Sequence, residues 1–290
     1  MIHRLARKFA AQTGKQFKET LRAGTPQVGI FLNSGSPVVA EQLSQSSYDW
    51  LLVDTQHGPT DRATMHAMLS GIGNGSAFSI VRVGSYKDRE GIQQSLDAGA
   101  GGILVPYVNN KAEVQQAVDC CLYPVPSQHT GNRSIYFPQR STNIGLLEYT
   151  GDANEHVFTS IQVETADCLN NLEDIVTIPE LDMVFLGSND LAMSMGLFEK
   201  YEFPHMFTSP ELLEAIDHIV ATCRKAGKIQ GAWAFGTGDV EARLNQGFDF
   251  ISIGNDLHHV LTANTQFINE WGEITKKVGK NWTKKDSALV

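Results

Sequence analysis

The chain has 290 residues, 42% hydrophobic and 19% charged, with a formal net charge of −9. This composition excludes a disordered chain and supports a substantial core. The acidic balance excludes general affinity for nucleic acid or an anionic membrane surface, which reward clustered Lys and Arg. An anionic small substrate stays open, because one Arg and a metal ion outweigh a global charge locally.

At the N-terminus, residues 1–18 carry Arg4, Arg7, Lys8, Lys15 and Lys18, with no acid before Glu19. A mitochondrial transit segment is amphipathic and acid-poor in this way. The stretch contains no Ser and no apolar run for secretion, so a basic extension over 1–22 of a cytoplasmic enzyme is expected. No apolar run approaches the roughly 20 residues of a transmembrane helix. Cys120, Cys121, Cys168 and Cys223 form no C-x-x-C pair and read as small buried apolar residues of a reducing compartment.

Beyond the extension, short aliphatic runs bounded by Gly, Pro, Asn or Asp predict eight strands: 27–33, 50–54, 78–83, 102–107, 157–163, 183–187, 229–235 and 250–254. Most are continuous apolar runs, as expected of parallel strands covered on both faces. Between them lie helical patterns, such as Val114, Ala117, Val118 and Cys121, or Leu212, Leu213, Ile216, Ile219 and Val220. Several end in a Gly turn, as at Gly99, Gly227 and Gly247. Alternation over about 250 residues predicts a closed (β/α)8 barrel across 23–279. The first strand is followed by Asn33-Ser-Gly-Ser-Pro, not by the G-x-G-x-x-G of a doubly wound sheet. Residues 123–155 read as one long irregular stretch, of the kind that carries specificity or a subunit contact. A polar tail occupies 280–290.

In such a barrel the C-terminal ends of the strands carry the chemistry. Asp54, Gln56 and His57 fall at the end of the second strand, Arg82 at the third, Gln162 and Glu164 at the fifth, and Gly187, Ser188, Asn189 and Asp190 at the sixth. No predicted strand contains a Lys for Schiff-base chemistry, and no G-x-S-x-G elbow is present. Two carboxylates, Glu164 and Asp190, leave room for water and a bidentate ligand around Mg²⁺, Mn²⁺ or Co²⁺. Other candidates have plainer readings. His258 and His259 sit at the start of the last helix, where a capping or surface role is expected. Trp233 and Phe235 fit a pocket wall or core packing equally. Arg133 reads as an exposed loop residue.

Four segments, in this order and spacing, resemble the HpcH/HpaI aldolases, the class II pyruvate aldolases. They are Tyr48-Asp-Trp-Leu-Leu-Val-Asp-Thr-Gln-His-Gly-Pro, Val81-Arg-Val-Gly, Ile103-Leu-Val-Pro, and Ile161-Gln-Val-Glu-Thr paired with Val184-Phe-Leu-Gly-Ser-Asn-Asp-Leu. The resemblance implies a barrel of the phosphoenolpyruvate/pyruvate type whose C-terminal helix is exchanged between subunits of a homo-oligomer, a hexamer in the family. It implies that Glu164 and Asp190 hold a divalent metal, Mg²⁺ foremost, and that Arg82 stabilises the enolate of pyruvate. It further implies that His57, oriented by Asp54, moves protons, that amides around Gly187, Ser188 and Asn189 take the substrate carboxylate, and that Asp97 reaches a neighbouring subunit.

The implied reaction is cleavage or formation of a 4-hydroxy-2-oxo acid from pyruvate and an aldehyde. Two departures stand out. Gln56 replaces the family Glu and cannot take up a proton, and Ser188-Asn189 replaces the family Pro-Ala before the Asp. The first departure keeps a macrophomate synthase-like oxaloacetate decarboxylase in view. A non-catalytic ligand-binding protein and a CoA-ester lyase are the remaining alternatives.

Overall fold

The computed structural model describes residues 13–125, 127, 130–136 and 145–285. Eight parallel strands close into a barrel in sequence order: β1 (Gln27–Leu32), β2 (Trp50–Asp54), β3 (Phe78–Arg82), β4 (Gly102–Val105), β5 (Phe158–Val163), β6 (Met183–Leu186), β7 (Ile229–Trp233) and β8 (Phe250–Asn255). The barrel closes where β1 pairs with β8, with a register shift between Gly29 and Phe31. All eight expected strands are present, and each boundary lies within two residues of its expected place.

Alternation along the strands makes two cores. One set of side chains, including Ile30, Leu51, Val53, Ile103 and Val184, packs outward against the helices. The other points into the barrel: Phe31, Trp50, Leu52, Phe78, Ile80, Leu104, Phe158, Met183, Phe185 and Phe250. Trp50 stacks on Phe250 at 4.0 Å between ring centroids. Gly29 makes room for it, since a Cβ at residue 29 would lie 2.2 Å from the indole. All four cysteines are free and buried. Burial pushes the Cys168 and Cys223 thiols up to about 12, so they pack rather than react.

The basic segment is part of the barrel from residue 13 onward; residues 1–12 of the expected extension lie outside the described residues. Thr13 caps the helix Gly14–Arg22 in a reciprocal capping box with Gln16. That helix drives Phe17 into the N-terminal mouth of the barrel, stacked on Phe78 at 4.2 Å and edge-on to Phe158 at 5.5 Å. Its cations are committed to the fold. Lys18 donates to the carbonyl of Val157 at 3.0 Å, and Arg22 pairs with Asp182 at 2.7 Å. Phe17→Ala is expected to destabilise the protein by about 3–5 kcal/mol, the usual cost of emptying an aromatic core site. Urea unfolding checks this, and a loss below about 1 kcal/mol would show that the barrel closes without its plug.

The expected irregular stretch 123–155 is corrected by a helix, Leu146–His156. It packs against the helix Gly14–Arg22, at the end of the barrel opposite the strand C-termini. Residues 126, 128–129 and 137–144 of that stretch lie outside the described residues. Beyond β8 the 22-residue helix Asp256–Lys277 leaves Val260, Phe267, Trp271 and Ile274 exposed. The start of the expected tail folds back along it, with Lys284 donating to Asn269 at 2.9 Å. Among the described residues no helix is long and apolar enough to cross a membrane.

Candidate active site

The strand C-termini surround a cavity of about 480 Å³ lined by His57, Arg82, Gln162, Gly187, Ser188, Asn189 and Asp190, as the sequence placed them. Its floor is aromatic, made by Phe31 and Phe185. Asp54, at the end of β2, is fully buried beneath it. Its carboxylate accepts from Arg82 Nη2 at 2.6 Å and Nε at 3.0 Å, from Asn33 Nδ2 at 2.5 Å, and from the amides of Gln56 at 3.0 Å and His57 at 3.3 Å. Burial alone would raise this carboxyl; the Arg82 guanidinium and the two amides more than reverse that and hold it below the usual carboxylate range. The bond from His57 comes from its backbone N–H, so Asp54 fixes the turn that carries His57 and, more firmly, the guanidinium of Arg82.

Arg82 also donates to Gln162 Oε1 at 3.2 Å and lies over the Phe31 ring at 4.9 Å. These three bonds leave two of the five N–H groups of a guanidinium for a ligand. Gln162 passes the contact on, its Nε2 donating to Glu164 Oε2 at 2.8 Å. Glu164 follows the last residue of β5 and is buried. Its carboxyl is pushed up to about 7 by burial, helped by the like charge of Asp190 and opposed by the Tyr107 amide and Arg82.

Gly187 is required beside it. A Cβ at residue 187 would meet the Glu164 Cβ at 2.7 Å and its Oε2 at 3.0 Å. Asp190 lies in the first turn of the helix Ser188–Ser194, which has no side-chain cap. The N–H of Gly187 is bonded to Val163 O at 3.0 Å, so the amides at the helix start are the free donors of this turn.

Tyr107, which the sequence did not single out, joins the two carboxylates. Its N–H donates to Glu164 Oε1 at 2.6 Å and its hydroxyl to Asp190 Oδ1 at 3.4 Å. Its φ of 52° is the one positive value outside glycine among the described residues. Nearby negative charge, Asp190 first, together with burial raises its phenol. The pair suits a hard divalent cation: both donors are carboxylate oxygens, and Glu164 is buried with less compensating charge than an anion needs. Among the described residues no group of three or more His, Cys, Asp or Glu is placed to hold an ion, so substrate and water would complete the shell.

Other expectations fared differently. Asp97 ends the helix Arg89–Asp97, which leads back toward the start of β4, and accepts from Arg133 at 2.8 Å. Its own chain does not bring it to the cavity. Arg133, read as exposed, is buried, because Asp97 neutralises it and the Tyr123 ring covers it at 4.6 Å. His258, read as a capping or surface residue, lines the cavity with Asn255, because β8 ends at the mouth and the last helix begins there. Trp233 and Phe235 line it too. Gln56 Oε1 is buried with no partner among the described residues.

A (β/α)8 barrel with an Arg–Asp clamp and a carboxylate pair at its strand C-termini has the layout of an enzyme's active face. Residues 27–263 match the HpcH/HpaI aldolase/citrate lyase family. A hydroxypyruvate/pyruvate aldolase of Sagittula stellata is 34% identical over 257 residues, which cover 88% of this chain and 97% of the relative. A 4-hydroxy-2-oxo-heptane-1,7-dioate aldolase of Salmonella dublin is 32% identical, covering 83% of this chain and 88% of the relative. A crystal structure of an HpcH/HpaI aldolase/citrate lyase family protein from Burkholderia cenocepacia superposes with a TM-score of 0.79 at 27% identity, over 88% of this chain and 98% of the other. The chain belongs to the HpcH/HpaI aldolase/citrate lyase family and is a carbon–carbon lyase. That removes the non-catalytic binding protein as a reading.

Proposed function

We propose that the enzyme interconverts a 4-hydroxy-2-oxo acid with pyruvate and an aldehyde through the enolate of pyruvate, using a divalent cation, Mg²⁺ foremost, held by Glu164 and Asp190. The observation that carries this reading is Arg82, clamped by Asp54 with two N–H groups to spare, beside two carboxylates joined through Tyr107. A divalent cation bound there would supply Lewis-acid polarisation of the 2-oxo acid's oxygens. Arg82 adds a fixed positive charge where negative charge develops on the C2 oxygen. The free amides of Ser188 and Asn189 receive the carboxylate at a helix start. His57, at the edge of the cavity, exchanges a proton with the substrate and with solvent. Gln56 orients water but carries no proton.

The same reading assigns Asp97 to a neighbouring subunit's cavity in a homo-oligomer. The exposed apolar face of the helix Asp256–Lys277 supports such an assembly, since a patch of this kind is ordinarily covered.

Pyruvate in D2O tests the enolate step. Metal-dependent loss of the methyl proton signal, abolished in Glu164→Ala, is expected. No exchange, with oxaloacetate still losing CO2, would replace the aldolase reading by the decarboxylase one.

A further inference from the structure

We propose that the acceptor half of the cavity is built for an uncharged aromatic aldehyde, packed against Trp233 and Phe235 with a polar substituent met by His258 and Asn255. This deepens the aldolase reading and rests on it. The cavity of about 480 Å³ is of ordinary small-molecule size, much larger than a three-carbon 2-oxo acid requires. Its two halves differ in chemistry. Arg82, Gln162, Asp190 and the Gly187–Asn189 turn gather the polar groups at the ends of β3, β5 and β6. Toward the ends of β7 and β8 the lining adds the rings of Trp233 and Phe235. Trp233 lies 5.0 Å from Phe31, and Phe235, 54% exposed, is backed by Phe207 at 5.6 Å.

Charge decides between classes of acceptor. Among the described residues Arg82 is the one Lys or Arg in the lining, and Asp54 and Gln162 already hold its guanidinium. At this end of the cavity a distal carboxylate would lose its water without meeting a Lys or Arg among the described residues. A ring loses nothing of that kind and gains apolar burial and aromatic contact.

The polar groups at this end match a hydroxyl or carbonyl. Asn255 Oδ1 is used as the helix cap, accepting from the His258 amide at 2.8 Å, which leaves its NH2 to donate. His258 Nε2 faces Thr262 Oγ1 at 3.4 Å, which leaves its other ring nitrogen.

The test is aldol addition of pyruvate to 3-hydroxybenzaldehyde, benzaldehyde and succinic semialdehyde, with Mg²⁺ and at one pH for all three. Pyruvate exchange in D2O by the wild type is read first. The expected result is a kcat/KM at least about tenfold higher for 3-hydroxybenzaldehyde than for the semialdehyde, the worth of one good aromatic contact. Phe235→Ala, at an exposed position the fold does not need, and Trp233→Leu should each bring that ratio toward one. His258→Ala should narrow the advantage of 3-hydroxybenzaldehyde over benzaldehyde. Preference for the semialdehyde, or a ratio unmoved in both ring variants, overturns the inference while exchange leaves the aldolase reading standing. Absence of exchange in the wild type removes the aldolase reading and the inference with it.

Discussion

Arg82→Lys is expected to slow pyruvate methyl exchange by about 10²–10³-fold while leaving the fold intact. The loss is the usual size for removing one preorganised donor aimed at developing negative charge. Lysine keeps a cation near Asp54 but loses the planar fork. One ammonium cannot hold both carboxylate oxygens, at 2.6 and 3.0 Å, contact Gln162 and still present two donors to a ligand. Arg82→Ala behaves differently. It leaves the carboxylate of Asp54 buried without its cation, and stability should fall by about 3–5 kcal/mol, nearer the lower figure because Asn33 and two amides still donate. Exchange rates by NMR and urea unfolding separate the two effects. A lysine variant exchanging at the wild-type rate would remove Arg82 from the chemistry and leave it a structural clamp.

The eight strands were legible because a parallel strand buried on both faces is an uninterrupted apolar run. The same signal overran their ends. Phe235 continues the run of β7 after the ladder stops at Trp233, and there it becomes wall of the cavity instead of core. The helix Leu146–His156 was illegible for the opposite reason. Only Ala153 is buried, so there is no apolar stripe, and Thr150, Gly151 and Asn154 are poor helix formers. A side chain holds it in place, Asn154 exchanging two hydrogen bonds with the backbone of Tyr123 at 2.8 and 3.0 Å. Phe17 could not be read from its neighbours, since the rings that receive it come from β3, β5 and β8.

Within the site, Asp54, Arg82, Glu164 and Asp190 announced themselves as charged residues at strand ends, where a barrel has little structural use for them. Tyr107 gave no such signal. Its part depends on a left-handed backbone that turns its N–H onto Glu164, and nothing in Pro106-Tyr107-Val108 predicts that φ. Arg133 shows the converse limit. An Arg in a Gly- and Ser-rich stretch reads as solvated, and only the fold supplies Asp97 and Tyr123 to bury it. His258, at the start of a helix, reads as a capping or surface residue. Its place at the cavity follows from where β8 stops, which the sequence fixes to within a residue or two at best.

The second large effect concerns Glu164. In the metal-free protein its carboxyl sits near 7, above its ordinary 4.5, through burial first and the charge of Asp190 besides. A group raised on folding contributes stability that is fully present below the unfolded value and lost as pH rises through the folded one. The metal-free enzyme should therefore weaken between about pH 4.5 and 7, by on the order of 3 kcal/mol at 1.36 kcal/mol per unit. A divalent cation works in the other direction. On the proposed reading it would bind the carboxylate, so its affinity should climb about tenfold per unit from pH 5 to 7 and level off above, and its stabilisation of the native state should grow in step. Thermal unfolding in EDTA and in Mn²⁺ across pH 5–8 reads both trends at once, without any assay of turnover. Glu164→Gln should flatten the metal-free trend and erase the Mn²⁺ gain, because the amide neither titrates nor offers an anionic oxygen. A variant that still gains stability from Mn²⁺ with the wild-type pH dependence would place the cation elsewhere and leave Glu164 a buried acid held by Tyr107 and Gln162.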